Sequence, residues 1–99
     1  MWVDVCETGL ERTRGLLLRR RLRADEALLI PRCAAVHTVG LWYPLDLAFC
    51  HADGTVLAIV RGLPPWRMAR HAAASQVWEL APGVSERLDL QPGDRLVAA

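Results

Sequence analysis

One dipeptide constrains this chain more than any other: Asp53-Gly54, set between two apolar segments of strand length, Leu45 to Cys50 and Thr55 to Arg61. Glycine accepts the positive φ that a tight hairpin turn requires, so the two segments are expected to pair antiparallel. The same rhythm holds from Ala27 onward. Ala27 to Ile30, Ala34 to Thr38, Gln76 to Ala81 and Arg95 to Ala98 are further short segments of strand length, punctuated by Pro and Gly. Ala81-Pro82-Gly83-Val84 and Gln91-Pro92-Gly93-Asp94 place Pro second and Gly third, as a type II turn demands. They isolate Ser85 to Leu90 as a helical turn or loop.

The first third of the chain reads differently. Trp2 to Cys6 alternates weakly, as a short strand does, and Thr8 and Glu11 then form a capping box that opens a helix over about Gly9 to Arg19. Gly15 interrupts that helix, which fits close approach of another backbone. The segment Gly62 to Ser75 is read as a short irregular connection, because Pro64-Pro65 prevents a regular strand. Within it, Trp66 to Ala74 fits either a helix or a coil packing Trp66 and Met68 on the sheet. The expectation is a single mainly β domain over residues 1–99, a compact sandwich or partly closed barrel of about seven short strands with one N-terminal helix.

Composition excludes several function classes. Hydrophobic residues make up 53% and charged ones 23% of the 99 residues, the balance of a folded domain and not of a disordered segment. The uncharged run from Cys33 to Leu45 is too short, and too interrupted by Gly40 and Pro44, to span a bilayer. The start, MWVDVCET, has no basic region followed by an apolar one, so no secretory signal is expected and a cytoplasmic location is the default. Cys6, Cys33 and Cys50 form no CxxC pair and read as small buried thiols. All 12 basic residues are Arg, with no Lys and no Asn, a pattern that GC-rich codon usage explains. Arginine abundance at a net charge of +1 is therefore a poor argument for nucleic-acid binding.

In order and spacing, RTRGLLLRRRL, EALLI, CAAVHTVGLWYPLDLAFCHADGTVLAI, VWELAPG and LQPGDRL resemble the bacterial and archaeal domain-of-unknown-function family numbered 192 over nearly the whole chain. Gly15 to Leu17 matches that family's Gly-Leu-Met block, Pro44 to Phe49 its proline-leucine-aspartate strand, and Glu79 and Gly83 a leucine-glutamate strand followed by a glycine turn. Leu17 and Leu41 stand where methionine is common, both apolar exchanges. The resemblance implies a mostly β fold of jelly-roll type and no activity, so it carries no catalytic residue over. Some members are exported or tethered to membranes, whereas no such leader is expected here from the start MWVDVCET.

Chemistry-bearing residues concentrate between Cys33 and Gly54. His37 and Asp46 sit on consecutive strands, and a hairpin there would bring them to one face, with Glu79 joining from a third strand; such a group supports general acid and base work. No nucleophile accompanies them, since strand alternation turns Thr38 away from His37 and neither Cys33 nor Cys50 has a base beside it. The structural reading has Asp46 and Glu79 accepting backbone amides in turns. Cys33, His37, Cys50 and His51 offer metal-binding atoms, but strand residues four apart lie roughly 13 Å from one another, so no metal site and no cofactor are expected. His71 reads as a surface residue.

The basic run Arg12, Arg14, Arg19, Arg20, Arg21 and Arg23 lacks interleaved aromatics and meets Asp25-Glu26, so a solvated helix end is favoured over nucleic acid. Trp78 reads as core. Trp42, Tyr43 and Trp66 read as an exposed rim where a small molecule or a protein would dock, or else as covers of the barrel ends. The leading reading is a non-enzymatic ligand- or protein-binding module with a candidate pocket of His37, Trp42, Asp46, Trp66 and Glu79. The alternatives are a hydrolase-type enzyme using His37 with Asp46 or Glu79, and a weak nucleic-acid binder through Arg12 to Arg23.

Overall fold

Strand pairing follows the alternation in the sequence, and the computed structural model describes it for residues 2–5 and 22–98. The elements are β1 (Trp2–Val5), β2 (Glu26–Pro31), β3 (Ala35–His37), β4 (Leu45–Cys50), β5 (Val56–Leu63), β6 (Met68–Arg70), β7 (Gln76–Leu80) and the short helix α1 (Val84–Arg87). Five strands form one sheet in the order β1-β2-β7-β4-β5, and β3 pairs with β6 in a separate two-stranded ribbon. All pairings are antiparallel except β1 with β2, which is parallel. The architecture is thus mainly β, a partly closed sandwich.

The central strand β4 shows why two layers form. Every one of its residues is buried: Leu45, Leu47 and Phe49 join one apolar cluster, and Ala48 and Cys50 the other. A strand with apolar residues on both faces must be covered on both. Val36 of β3, Leu41, Tyr43 and Leu63 share the first cluster with it, and Trp78, Val84 and Leu90 the second. The ribbon therefore caps one face and α1 with its flanking turns the other. No described helix is long and apolar enough to cross a membrane.

The hairpin at Asp53-Gly54 forms as its sequence predicts. His51 and Gly54 close the turn, with His51 N–H donating to the Thr55 carbonyl at 2.9 Å and Gly54 N–H to the His51 carbonyl at 2.9 Å. Gly54 has φ +91°, and a Cβ there would fall 1.9 Å from the Leu96 carbonyl oxygen, so the position admits no side chain. Both Pro-Gly turns also close, with Val84 N–H donating to Ala81 C=O at 3.2 Å and Asp94 N–H to Gln91 C=O at 3.1 Å.

Several sequence expectations are corrected. Arg95 to Ala98 is not a strand: it makes one antiparallel bridge, Arg95 to Thr55, beside which Leu96 N–H donates to Gly54 C=O at 2.9 Å, and pairs no further. The stretch after Pro64-Pro65 is not irregular throughout, because the prolines end in a turn that reverses the chain into β6 against β3. Trp66 and Met68 do not pack on the sheet but are exposed. Strand β5 runs to Leu63, past the predicted end at Arg61, through a bulge at Gly62. The helix expected over Gly9 to Arg19, Cys6 and the basic run from Arg12 to Arg21 lie outside the described residues.

Candidate functional site

The predicted polar group is divided by the register of the sheet. Asp46 lies opposite Leu80, whereas Glu79 lies opposite Leu47 on one side and Leu28 on the other. Directly opposed residues share a face, so the two carboxyls point to opposite faces of the five-stranded sheet. Both are fully buried. His37 is exposed on β3, which is consecutive with β4 in sequence but belongs to the ribbon, where it stands across from Met68. His37, Asp46 and Glu79 therefore do not converge on one cleft.

Asp46 is a clamp on main chain. Between Leu45 and Leu47 the β4–β5 register shifts by one residue, and the extra residue is accommodated by Gly62 at φ +65°. A bulge of this kind re-aims a backbone group, here the Gly62 N–H, which donates to Asp46 Oδ1 at 2.8 Å. Asp46 Oδ2 accepts from Gly83 N–H at 3.1 Å, Ser85 N–H at 3.1 Å and the Ser85 hydroxyl at 2.6 Å. The Ser85 hydroxyl oxygen in turn accepts from Arg61 Nε at 3.2 Å, and the Arg61 guanidinium also donates to Leu90 C=O at 3.1 Å. One carboxyl thus holds the bulge, the Pro82-Gly83 turn and the start of α1 together.

Thr38 is a second clamp, at the end of the ribbon. Its hydroxyl stands between the ends of the turn Pro64-Pro65-Trp66-Arg67, donating to Pro64 C=O at 2.7 Å and accepting from Arg67 N–H at 2.8 Å. That is where a type II turn would otherwise close on itself. The Thr38 main chain adds an N–H to Arg67 C=O at 2.8 Å, and its carbonyl accepts from both Trp66 N–H at 3.0 Å and Leu41 N–H at 3.1 Å. The loops carrying Trp42 and Trp66 are therefore tied to the same oxygen. The sequence signal was a threonine among apolar residues; its partners, 26 to 29 positions away, left no local trace.

What these loops present is apolar and exposed. Trp42 is 73% exposed, Met68 66% and Trp66 63%, with Val39 beside them. Tyr43, expected in this rim, is instead buried in the core, its ring edge-on to Trp42 at 5.3 Å and 83°. The correction is physical: the loop turns over after Trp42, so its two aromatics face opposite ways, and the buried one buttresses the exposed one. Trp66 sits at φ +63°, a left-handed conformation that is uncommon for a bulky side chain and costs about 1–3 kcal/mol. Hydrogen bonds between Thr38 and Pro64, Trp66 and Arg67 hold its turn there.

The remaining candidates lie elsewhere. Cys33 is half-buried and its thiol donates to Ala35 C=O at 3.0 Å. Cys50 is buried, and burial with the nearby Asp53 charge pushes its thiol up to about 11. Among the described residues no group of three or more His, Cys, Asp and Glu is placed to hold a metal ion. His71 is half-buried, its ring 6.2 Å from Phe49. Trp78 is core, as its place in β7 predicts, and its indole N–H donates to Gln76 at 2.8 Å.

Comparison with known proteins places the chain in a family and matches its fold. The sequence profile of DUF192, described as an uncharacterized ACR, matches residues 1–98. A crystal structure from Sinorhizobium meliloti 1021, provisionally named a transcription regulator, superimposes with a TM-score of 0.83 at 28% identity, over 94% of this chain and 78% of that one. A protein of unknown function from Novosphingobium aromaticivorans DSM 12444 superimposes with a TM-score of 0.80 at 26% identity, over 94% of this chain and 71% of that one. No curated protein matches the chain.

Proposed function

The chain belongs to the DUF192 family, and we propose that it is a non-enzymatic binding module that meets its partner through the rim of Trp42, Trp66 and Met68. One observation carries this reading: bulky apolar side chains are held exposed on two loops that a buried threonine ties to one point. Exposed patches of Trp and Met on a pre-organised backbone mark interaction sites, because little ordering is left to offset on binding. His37 adjoins the rim across from Met68. The provisional name of the Sinorhizobium structure also fits recognition better than hydrolysis.

The hydrolase alternative finds less support. Both Asp46 oxygens are engaged by Gly62, Gly83 and Ser85, and His37 lies in the other sheet, so no base and orienting carboxylate share a site there. The reading keeps the cytoplasmic location expected from the sequence, with Cys33 and Cys50 as free thiols. The test follows the indole N–H signals by two-dimensional NMR while metabolites, oligonucleotides and peptides are titrated in. At least one class should move Trp42 and Trp66 and leave the buried Trp78 in place. If every compound leaves the two exposed indoles unmoved, the binding reading fails.

A further inference from the structure

Charge distribution narrows the partner. Between Ala27 and Leu45, and again between Gly54 and Trp78, the sequence holds no Asp or Glu at all, although 11 acidic residues occur in the chain. Those two stretches contain the whole ribbon and both exposed tryptophans. On the ribbon, Ala35 and His37 are exposed opposite Arg70 and Met68, while Val36 turns inward against Ala69. Its outer face is therefore Ala35, His37, Met68 and Arg70, and at one end Thr38 ties in the turn that carries Trp66 and Arg67 and the loop that carries Trp42. Arg67 is exposed as well. Among the described residues these two stretches bring Arg67 and Arg70 to this end of the molecule and no carboxylate.

Resting on the binding reading above, we propose that this face binds single-stranded nucleic acid, with bases stacked on Trp42 and Trp66 and phosphates met by Arg67 and Arg70. Sequence-tolerant binding of single strands combines projecting aromatic rings with arginines that follow the backbone, and this is the combination the ribbon displays. The aromatics missing from the run Arg12 to Arg23 stand here beside different arginines. Rings that are 73% and 63% exposed offer flat faces to other flat rings, whereas a peptide side chain seeks a concave pocket. Steric freedom of this kind favours bases over an acidic peptide. A duplex, whose bases are already stacked on each other, is the poor ligand.

Fluorescence anisotropy of labelled U12, dT12 and a 12-base-pair duplex against the full chain tests this. U12 and dT12 should bind within a few-fold of each other and more tightly than the duplex, since stacking on an indole needs no 2′-hydroxyl. Trp42→Ala and Trp66→Gly should each weaken U12 at least about fivefold, the lower limit for losing one stacked base. Arg67→Ala with Arg70→Ala should lower the slope of log K against log salt by about 1.4, roughly 0.7 for each lost phosphate contact. Because a variant can lose its fold, the wild-type chain supplies a second readout: U12 should shift the Trp42 and Trp66 indole N–H signals and not that of Trp78. The proposal is overturned if U12 fails to bind at low salt, if the duplex binds as well as U12, or if the tryptophan variants bind unchanged. Movement of the exposed indoles by an acidic peptide and not by U12 would also overturn it while leaving the binding reading intact.

Discussion

Asp46 and Thr38 are the same device used at two places with opposite results. Each is a small polar side chain with almost no solvent exposure, placed in an apolar strand context and bonded to backbone distant in sequence. The segments that Asp46 ties carry Gly62, Gly83 and Ser85, side chains too small to reach beyond the closed end they form. Those that Thr38 ties carry Trp66 and, one residue past Leu41, Trp42. A buried hydrogen-bond hub by itself therefore says nothing about function. What is fastened to it does: one clamp holds the fold shut, and the other holds an aromatic surface open.

The contrast can be broken by removing each hub in turn. Asp46→Ala leaves two backbone amides, the Ser85 amide among them, and a hydroxyl without their acceptor in the interior, along with the amide of the bulge; it should destabilise by at least about 4 kcal/mol in urea unfolding and leave little folded protein. Thr38→Val keeps the shape and loses one hydroxyl, so a smaller loss of about 1–3 kcal/mol is expected, together with broadened indole signals from Trp42 and Trp66. Equal losses for the two variants would show that the Thr38 turn is as much part of the core as the Asp46 end. Trp66→Gly sharpens the comparison further. Glycine accepts φ +63° without strain, so stability should stay within about 1 kcal/mol of the wild type, or rise, while recognition is lost.

Two smaller effects probe the faces themselves. With its thiol pushed up to about 11, Cys50 stays protonated at neutral pH and should resist iodoacetamide until the whole domain unfolds, whereas half-buried Cys33 should label under native conditions. Labelling of both at one rate would mean that the face under α1 opens as readily as the loop that carries Cys33. Asp53, at the hairpin turn and away from both clamps, accepts the Thr55 N–H, which holds its carboxyl below its ordinary value. A lowered carboxyl contributes stability that is present above its unfolded value and lost as pH falls through the folded one. Asp53→Asn should therefore lower stability slightly at neutral pH in urea unfolding, and the difference from the wild type should vanish as pH falls through the folded value, flattening the acid limb.

Local chemistry made much of the fold legible. Asp53-Gly54, the two Pro-Gly turns and the apolar strand-length run Leu45 to Cys50 each depend on residues within a few positions, and each forms as expected. Trp78, read as core, is buried. The site was less legible. His37 and Asp46 are nine residues apart on consecutive strands, but consecutive strands need not share a sheet, and the one-residue offset between Asp46 and Glu79 sends them to opposite faces. Strand β6 was hidden by Pro64-Pro65, which reads locally as a break and in three dimensions is the turn that Thr38 closes.

By itself the sequence determined that this chain is mainly β, where its tight turns fall, and which family it resembles. These are properties of backbone preference and hydrophobic period, and both act over short distances along the chain. Tertiary structure alone decided that Asp46 fastens loops, that Tyr43 turns in while Trp42 turns out, and that loops carrying two exposed tryptophans 24 positions apart are tied to one threonine. The physical reason is that a polar group's role depends on which distant partners reach it, and sheet register, bulges and layer packing set that distance only once the chain has folded.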